Sequence, residues 1–255
     1  MTPSLSAILI AKNEERDLPG CLESLKGLAS EIVIVISDDT TDKTEEVAKR
    51  YGAKISHRKF DNYALMRQAS LDAATQDWCL WIDPDERVTP ELKAAILKEL
   101  ASEEASAYDV RFEVRFLGRT MRWGGLGSES HVRLFGRESA KFVGGDLHES
   151  LKIADGQRTL PLRGGKMVHE PYRDIADYLS KLDRYTDLAA KKRFDAGRRF
   201  TVLHHLILPW EFFSRAVLKL GVLDGYQGLV WAGLSSFHSW LKYVKLGRMQ
   251  REKSI

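Results

Sequence analysis

The sequence predicts an α/β fold: a parallel sheet of the nucleotide-binding type, followed by a helical appendage. Three observations predict it. Through residues 1–100, short apolar and β-branched runs alternate with helical patterns, the rhythm of successive βα units. Each run stops at a polar cluster, at Asn13-Glu14, Asp38-Asp39 and Asp83-Asp85. In open α/β sheets ligands bind beyond the carboxyl ends of the strands, where these clusters fall. From Asp174 onward strand signals vanish and the spacing becomes helical.

The elements follow in order. Residues 6–11 are almost wholly apolar and predict a central parallel strand. Lys12 to Arg16 form the polar loop at its end, and Asp17-Leu18-Pro19 opens a helix with Leu18, Cys21, Leu22 and Leu25 at helical spacing. Residues 32–36 predict a second strand. Asp42 with Glu45 predicts a capping box, and Gly52 the C′ position that closes that helix. Residues 53–56 predict a third strand and 62–74 a helix. The fourth strand is Trp78-Cys79-Leu80-Trp81-Ile82, five residues without a charge. Three carboxylates in four positions follow it: Asp83-Pro84-Asp85-Glu86. Pro84 ends the strand and stiffens the turn, so Asp83 and Asp85 can point the same way. Such oxygens on a tight turn suit a hard cation, Mg²⁺ or Mn²⁺. Thr89-Pro90-Glu91 is an N-cap with proline in the first turn and opens a helix to Leu100.

Composition narrows the class. A chain of 255 residues accommodates one large α/β domain and an appendage. Cys21 and Cys79 sit in apolar contexts and predict buried thiols in a reducing compartment, with neither zinc spacing nor a disulfide framework. No basic stretch followed by an apolar one opens the sequence, so a secretory signal is not expected. The net charge of +3 is unevenly spread: from Ser180 onward there are 14 Lys and Arg against 6 Asp and Glu, and elsewhere 25 against 30. That asymmetry predicts an anionic partner for the C-terminal part, either nucleic acid or an acidic membrane surface.

The middle of the chain offers titratable groups. Residues 123–128 form a glycine-rich loop able to close over a ligand. His131 and Arg133 flank a strand over 132–135 and are placed to line a pocket. Gly144-Gly145-Asp146-Leu147-His148-Glu149 is a tight loop leading into a strand, so Asp146, His148 and Glu149 cannot all face one way. His169 follows a strand-like run over 166–168. In the C-terminal part no apolar stretch reaches the ~18 residues of a spanning helix. Lys and Arg alternate there with Trp210, Phe212, Phe213, Trp231 and Trp240, a pattern that suits helices lying in a headgroup layer.

Ala11-Lys12-Asn13-Glu14-Glu15, then Thr41-Asp42-x-Thr44, then Trp78 ahead of Asp83-x-Asp85-Glu86 resemble the family-two inverting glycosyltransferases. Arg133-Leu134-Phe135, His148-Glu149, His169 and the run from Leu223 to Leu229 extend the resemblance over nearly the whole chain, toward the bacterial lipopolysaccharide core glycosyltransferases. The resemblance implies a GT-A-like, Rossmann-like fold. Residues 1–173 would form the transferase domain (nucleotide-binding 1–100, acceptor-binding 101–173), and 174–255 a membrane-associating helical region. It implies inverting transfer from a nucleotide sugar, a UDP-sugar first of all, to a lipid-linked glycan at the cytoplasmic face of the inner membrane. Peripheral attachment is expected, and a homo-oligomer is compatible. The donor is expected against Ala11, Asn13, Glu14, Asp38 and Asp39, with Arg67 on a phosphate and Arg133 lining the pocket. Asp83 is expected on ribose or sugar, and Asp85 with His169 on the Mg²⁺ or Mn²⁺ ion. Single displacement needs a general base. Glu149 is the expected one, with His148 beside it and Asp146 as the alternative. The family commonly reads Asp-Ser-Gly-Ser or Asp-Asp-Gly-Ser where this chain has Ser37-Asp38-Asp39-Thr40, which leaves the donor's base open.

Two other readings stand beside this one. Transfer to polyprenyl phosphate would need no strong base, because that acceptor oxygen is already ionised. A non-catalytic nucleotide- or nucleic-acid-binding module is the other. Against it, no RNA- or DNA-binding motif occurs, and the basic residues are interleaved with apolar stretches, so nucleic acid is not an expected partner.

Overall fold

The protein is described by a computed structural model over residues 4–102, 104–144 and 149–253, with only the backbone of Glu149. It divides into two compact units, one of Met1–Glu113 with Glu129–His169 and the other of Val114–Ser128 with Glu170–Ile255. The division expected at 173/174 thus falls at 169/170, and the loop over 123–128 belongs with the C-terminal part.

The first unit is built on a parallel core. Strand β1 (Leu5–Ala11) pairs in parallel with β2 (Glu31–Ser37) on one side and with β4 (Trp78–Trp81) on the other. Strand β3 (Lys54–Arg58) pairs with β2. The crossovers are α1 (Leu18–Ser24), α2 (Thr44–Arg50) and α3 (Tyr63–Asp72). Leu5, Ala7, Ile8 and Leu9 are buried on both faces of β1, the reason its sequence is a continuous apolar run rather than an alternating one.

Helix ends follow local chemistry with one exception. The Asn62 side chain accepts from Leu65 N at 2.9 Å and Thr89 Oγ1 accepts from Leu92 N at 3.2 Å, starting α3 and α4 (Pro90–Leu100). Gly52, at φ +69°, closes α2 as expected. The capping box of Asp42 and Glu45 does not form. Asp42 instead accepts from the Thr44 amide at 3.0 Å and from the Glu15 amide at 3.0 Å, because the loop after β1 competes for the carboxylate.

Beyond β4 the sheet continues with antiparallel strands. After β5 (Glu86–Val88) and β6 (Ala107–Phe116) come a two-residue β7 (Arg119–Thr120) and β8 (Ser130–Gly136). A separate hairpin pairs β9 (Ala140–Gly144) with β10 (Glu149–Ile153). Last come β11 (Thr159–Pro161) and β12 (Met167–His169). The main order is β3-β2-β1-β4-β8-β6-β12-β5. The short β5, which no period in the sequence announces, pairs antiparallel with β12 and sets His169 opposite Glu86.

The second unit is helical. Helix α5 (Ile175–Asp195) starts on Asp174, whose side chain accepts from Asp177 N at 2.8 Å. It is tied to α7 (Gly225–Lys253) by Lys245, 2.7 Å from both Asp183 and Asp187. The buried Asp224 carboxylate accepts from the amides of Arg122 and Trp123 at 3.0 and 2.8 Å. Gly124 N donates to Lys219 O at 2.8 Å, so the glycine-rich loop is fastened at its start. Around α6 (Ile207–Phe213) large apolar side chains face solvent. Val202, Leu203 and Tyr226 are 78%, 73% and 73% exposed, and Leu206 and Trp210 are 62% and 60%. No helix among the described residues is long and apolar enough to cross a membrane.

Gly165 and Gly156 test the packing below β12. Both have positive φ, +89° and +79°, but a Cβ on Gly165 would lie 2.1 Å from Leu92 N, whereas one on Gly156 meets nothing within 4 Å. Gly156→Ala should cost about 1–2 kcal/mol in urea unfolding from the backbone alone. Gly165→Ala should cost more than twice that. Equal costs would show that α4 does not press on this turn.

Candidate active site

Three strand ends of the first unit, those of β1, β2 and β4, carry the polar clusters, and the loops after β1 and β2 are knitted together. Ala11 is buried at the end of β1. Asn13 takes a left-handed backbone at φ +56°, and its Oδ1 accepts from Thr41 N at 2.8 Å. Glu14 N donates to Thr44 Oγ1 at 2.7 Å. Asp38 is exposed, with its amide on Arg58 O at 3.0 Å. Asp39 is paired with Lys12 and accepts from Ser37 Oγ at 2.6 Å. Ser37 therefore orients Asp39.

The acidic turn is held from three sides. Arg67, on α3, donates to Asp83 Oδ1 at 2.8 Å, and Arg133, on β8, donates to Asp83 Oδ2 at 3.1 Å. Arg133 also binds Glu86, whose other oxygen accepts from Asp83 N at 2.9 Å. Arg87 spans from Pro84 O to Asp17 O, bonding at 2.7 and 2.8 Å, and passes so close to Gly20 that a Cβ there would lie 2.5 Å from its Nε. Burial pushes Asp83 up, but the two arginines outweigh it and hold the carboxyl at about 2. For Glu86 burial is the larger influence and lifts it to about 8, against the pull of Arg133. Both arginines are buried, and both lie over the Trp81 ring.

Asp85 is left outside this clamp. Its Oδ2 lies 3.6 Å from His169 Nε2, delivered by the β5–β12 pairing. Burial works to lower the His169 pKa, but the Asp85 carboxylate, with Glu86 and Glu129, raises it above its ordinary value. Its Nδ1 is buried and has no hydrogen-bond partner among the described residues. Among the described residues no three His, Cys, Asp or Glu side chains cluster as a metal cage.

The structure thus brings Arg67, Asp83, Asp85, Arg133 and His169 together, and sets Ala11, Asn13, Glu14, Asp38 and Asp39 on the neighbouring strand ends. Asp146 and His148 lie outside the described residues, as does the side chain of Glu149. Reading the residues in isolation missed that Glu86 is buried and that Arg67 and Arg133 share one carboxylate. The signal was Trp81: an aromatic beside three carboxylates is a platform for guanidinium groups.

A parallel sheet presenting carboxylates, an imidazole and guanidiniums at one edge has the layout of an α/β enzyme acting on a charged, phosphate-bearing substrate. Residues 6–151 match Glycosyl transferase family 2, and the chain belongs to that family. It is a glycosyltransferase with a GT-A-like α/β fold. An uncharacterized glycosyltransferase of Rickettsia typhi is 25% identical over 252 residues, 95% of this chain and 86% of that one. The lipopolysaccharide core biosynthesis glycosyltransferase LpsC of Rhizobium meliloti is 25% identical over 251 residues, 95% of this chain and 91% of that one. Among solved structures, S. aureus TarS 1–349 in complex with UDP aligns with 98% of this chain and 92% of its own at 14% identity, with a TM-score of 0.49. Glucosyl-3-phosphoglycerate synthase from Mycobacterium tuberculosis, in complex with Mn²⁺, UDP and glucosyl-3-phosphoglycerate, aligns with 78% and 82% at 19% identity, with a TM-score of 0.46.

Glu86 makes stability depend on pH. Its carboxyl, raised from 4.5 to about 8, holds a proton in the folded state that the unfolded chain releases. Its contribution is therefore full below the unfolded value and is lost as pH rises through the folded one. Glu86→Gln, which cannot ionise, should flatten the stability profile between about pH 5 and 8 in urea titrations. A variant that tracks the wild type across that range would assign the titration elsewhere.

Proposed function

We propose that the protein transfers a sugar, with inversion, from a nucleotide-sugar donor to a lipid-linked glycan of the bacterial cell surface, lipopolysaccharide core being the first candidate. The observation that carries this is the split acidic turn. Asp83 is consumed by two buried arginines, and Asp85 is left facing His169 where the sheet opens. UDP-sugars are the expected donors, and Asn13, Glu14, Asp38 and Asp39 on the knitted loops are the groups proposed to meet the nucleoside. LpsC, 25% identical along nearly its whole length, supports the acceptor class.

The residues fit a divalent cation. Mg²⁺ and Mn²⁺ in nucleotide enzymes take one or two protein ligands and complete their shells with phosphate oxygens and water, so no three-residue cage is required. The 3.6 Å between Asp85 and His169 is too long for a good hydrogen bond and is compatible with two ligands of one ion. The unpartnered Nδ1 leaves His169 without a competing hydrogen bond on its other nitrogen. Bound there, the ion would neutralise charge building on the departing diphosphate. Arg67 and Arg133 keep the turn in place and add positive potential, and the fixed turn spares the site reorganisation during transfer. The proton acceptor is a carboxylate. The family resemblance favours Glu149, with His148 beside it and Asp146 as the alternative.

A lipid-linked acceptor requires the enzyme at a bilayer, and the second unit supports peripheral attachment at the cytoplasmic face of the inner membrane. Its solvent-facing Val202, Leu203, Leu206, Trp210 and Leu218 exceed what a monomer scatters singly over its surface. Arg198, Arg199 and Lys219, also exposed, supply cations for anionic headgroups.

Two measurements test these assignments. UDP with Mn²⁺ should raise the melting temperature of the wild type, and Asp85→Asn should abolish that shift while lowering transfer by ~10²-fold or more. A metal-dependent shift that survives in Asp85→Asn, or full activity in chelator, would remove Asp85 from the ion. The full chain should co-sediment with phosphatidylglycerol vesicles, bind less in high salt and need detergent for complete release. Trp210→Ser combined with Leu206→Ser should weaken the salt-resistant part. A wild type that stays in the supernatant at low salt would remove the membrane from the proposal and leave the transfer site untouched.

A further inference from the structure

A carboxylate–imidazole pair just outside the acidic turn has no part in the reading above. Arg133 and His131 of β8 both face the Phe112 ring of β6, 5.3 and 5.6 Å from its centre, and with Glu129, the residue preceding β8, form one row. Same-face positions lie about 7 Å apart along a strand. Arg133 heads the row, buried against Asp83 and Glu86. His131 stands one step out, opposite Val110 of β6, and its Nε2 lies 3.1 Å from Glu129 Oε1. Phe112 fixes the far end: its amide donates to Glu129 O at 2.9 Å. The Phe112 ring meets His131 edge-on at 5.6 Å between centroids and His169 at 5.9 Å. One ring therefore stands between this pair and the imidazole beside Asp85. Unlike Arg133, whose side chain is 6% exposed, Glu129 and His131 are open, at 32% and 53%. The hydrogen bond from His131 holds Glu129 below the usual carboxylate range.

We propose that Glu129 is the general base of the transfer, with His131 as the residue that positions it. This rests on the transferase reading. As the acceptor oxygen bonds to the anomeric carbon, the bond from that carbon to the diphosphate oxygen breaks and its electron pair leaves with the diphosphate. The hydroxyl proton passes to Glu129, which releases it to water after product departs. The His131 N–H occupies one carboxylate oxygen and leaves the other for the hydroxyl. Glu129 competes for this role with Glu149, whose candidacy rests on the family resemblance alone because its side chain lies outside the described residues.

The test uses the full chain with Mn²⁺, purified bacterial lipopolysaccharide as acceptor, and radiolabelled UDP-glucose, UDP-galactose and UDP-N-acetylglucosamine in turn. With the donor that the wild type uses, Glu129→Gln should lower kcat by ~10²-fold or more, with the donor KM and the thermal shift by UDP and Mn²⁺ unchanged. Glu129→Asp should recover part of that loss. His131→Asn should lower kcat by roughly tenfold and leave the donor KM alone. Glu129→Gln within threefold of wild type, with Glu149→Gln carrying the loss instead, would overturn the proposal and spare the transferase reading. Loss of UDP binding in Glu129→Gln would also overturn it, by making Glu129 a donor-site or structural residue. A wild type that transfers from none of the three donors would overturn both.

Discussion

The guanidinium groups of Arg67 and Arg133 lie 4.2 and 4.0 Å from the centre of the Trp81 ring, and both reach Asp83. Everything else in the first unit's polar edge depends on this arrangement. Two cations sharing so small and dry a space would repel each other. Asp83, which both arginines reach, offsets that repulsion, and the ring face adds a further attraction. Breaking such a pair by removing one member costs about 3–5 kcal/mol, because a charge is left buried and uncompensated. The arrangement joins α3, β4, β5 and β8 at one point, so the end of the sheet and the turn beyond it are held together.

That constraint also divides labour among the three acids of the turn. Asp83 accepts from both arginines and serves as the anchor, while Glu86 accepts from Arg133 and from the Asp83 amide. Asp85 is then the acid of the turn that faces an imidazole, His169, at 3.6 Å. A ligand meeting this edge encounters groups whose positions are set beforehand, the condition under which fixed charges act most strongly on developing charge.

The fold of the first hundred residues was legible because its signals are local. The apolar runs at β1, β2 and β4 are continuous since those strands are covered on both faces, and the caps at Asn62 and Thr89 act over three residues. The capping box at Asp42 was misread for the opposite reason. Its carboxylate had a second suitor in the Glu15 amide, 27 positions away in sequence. The candidate site was legible as a list of strand ends, yet its wiring was not. Arg67 and Arg133 read as pocket-lining cations and are buried on one carboxylate. Glu86 read as one more carboxylate of the acidic turn and is fully covered.

By itself, then, the sequence determined the parallel α/β core, the polar strand ends, the helical C-terminal part with its basic excess, and the family. These follow from periodicity and composition, which act within a few residues of one another. Only the tertiary structure decided which of those polar groups meet. The pairing of β5 with β12 brings His169 to Asp85, and the pairing of β8 with β4 brings Arg133 to Asp83. Strand register across 50 or more residues is set by the packing of whole faces, because a shift of one residue turns every side chain to the other side. No single stretch of sequence contains that information.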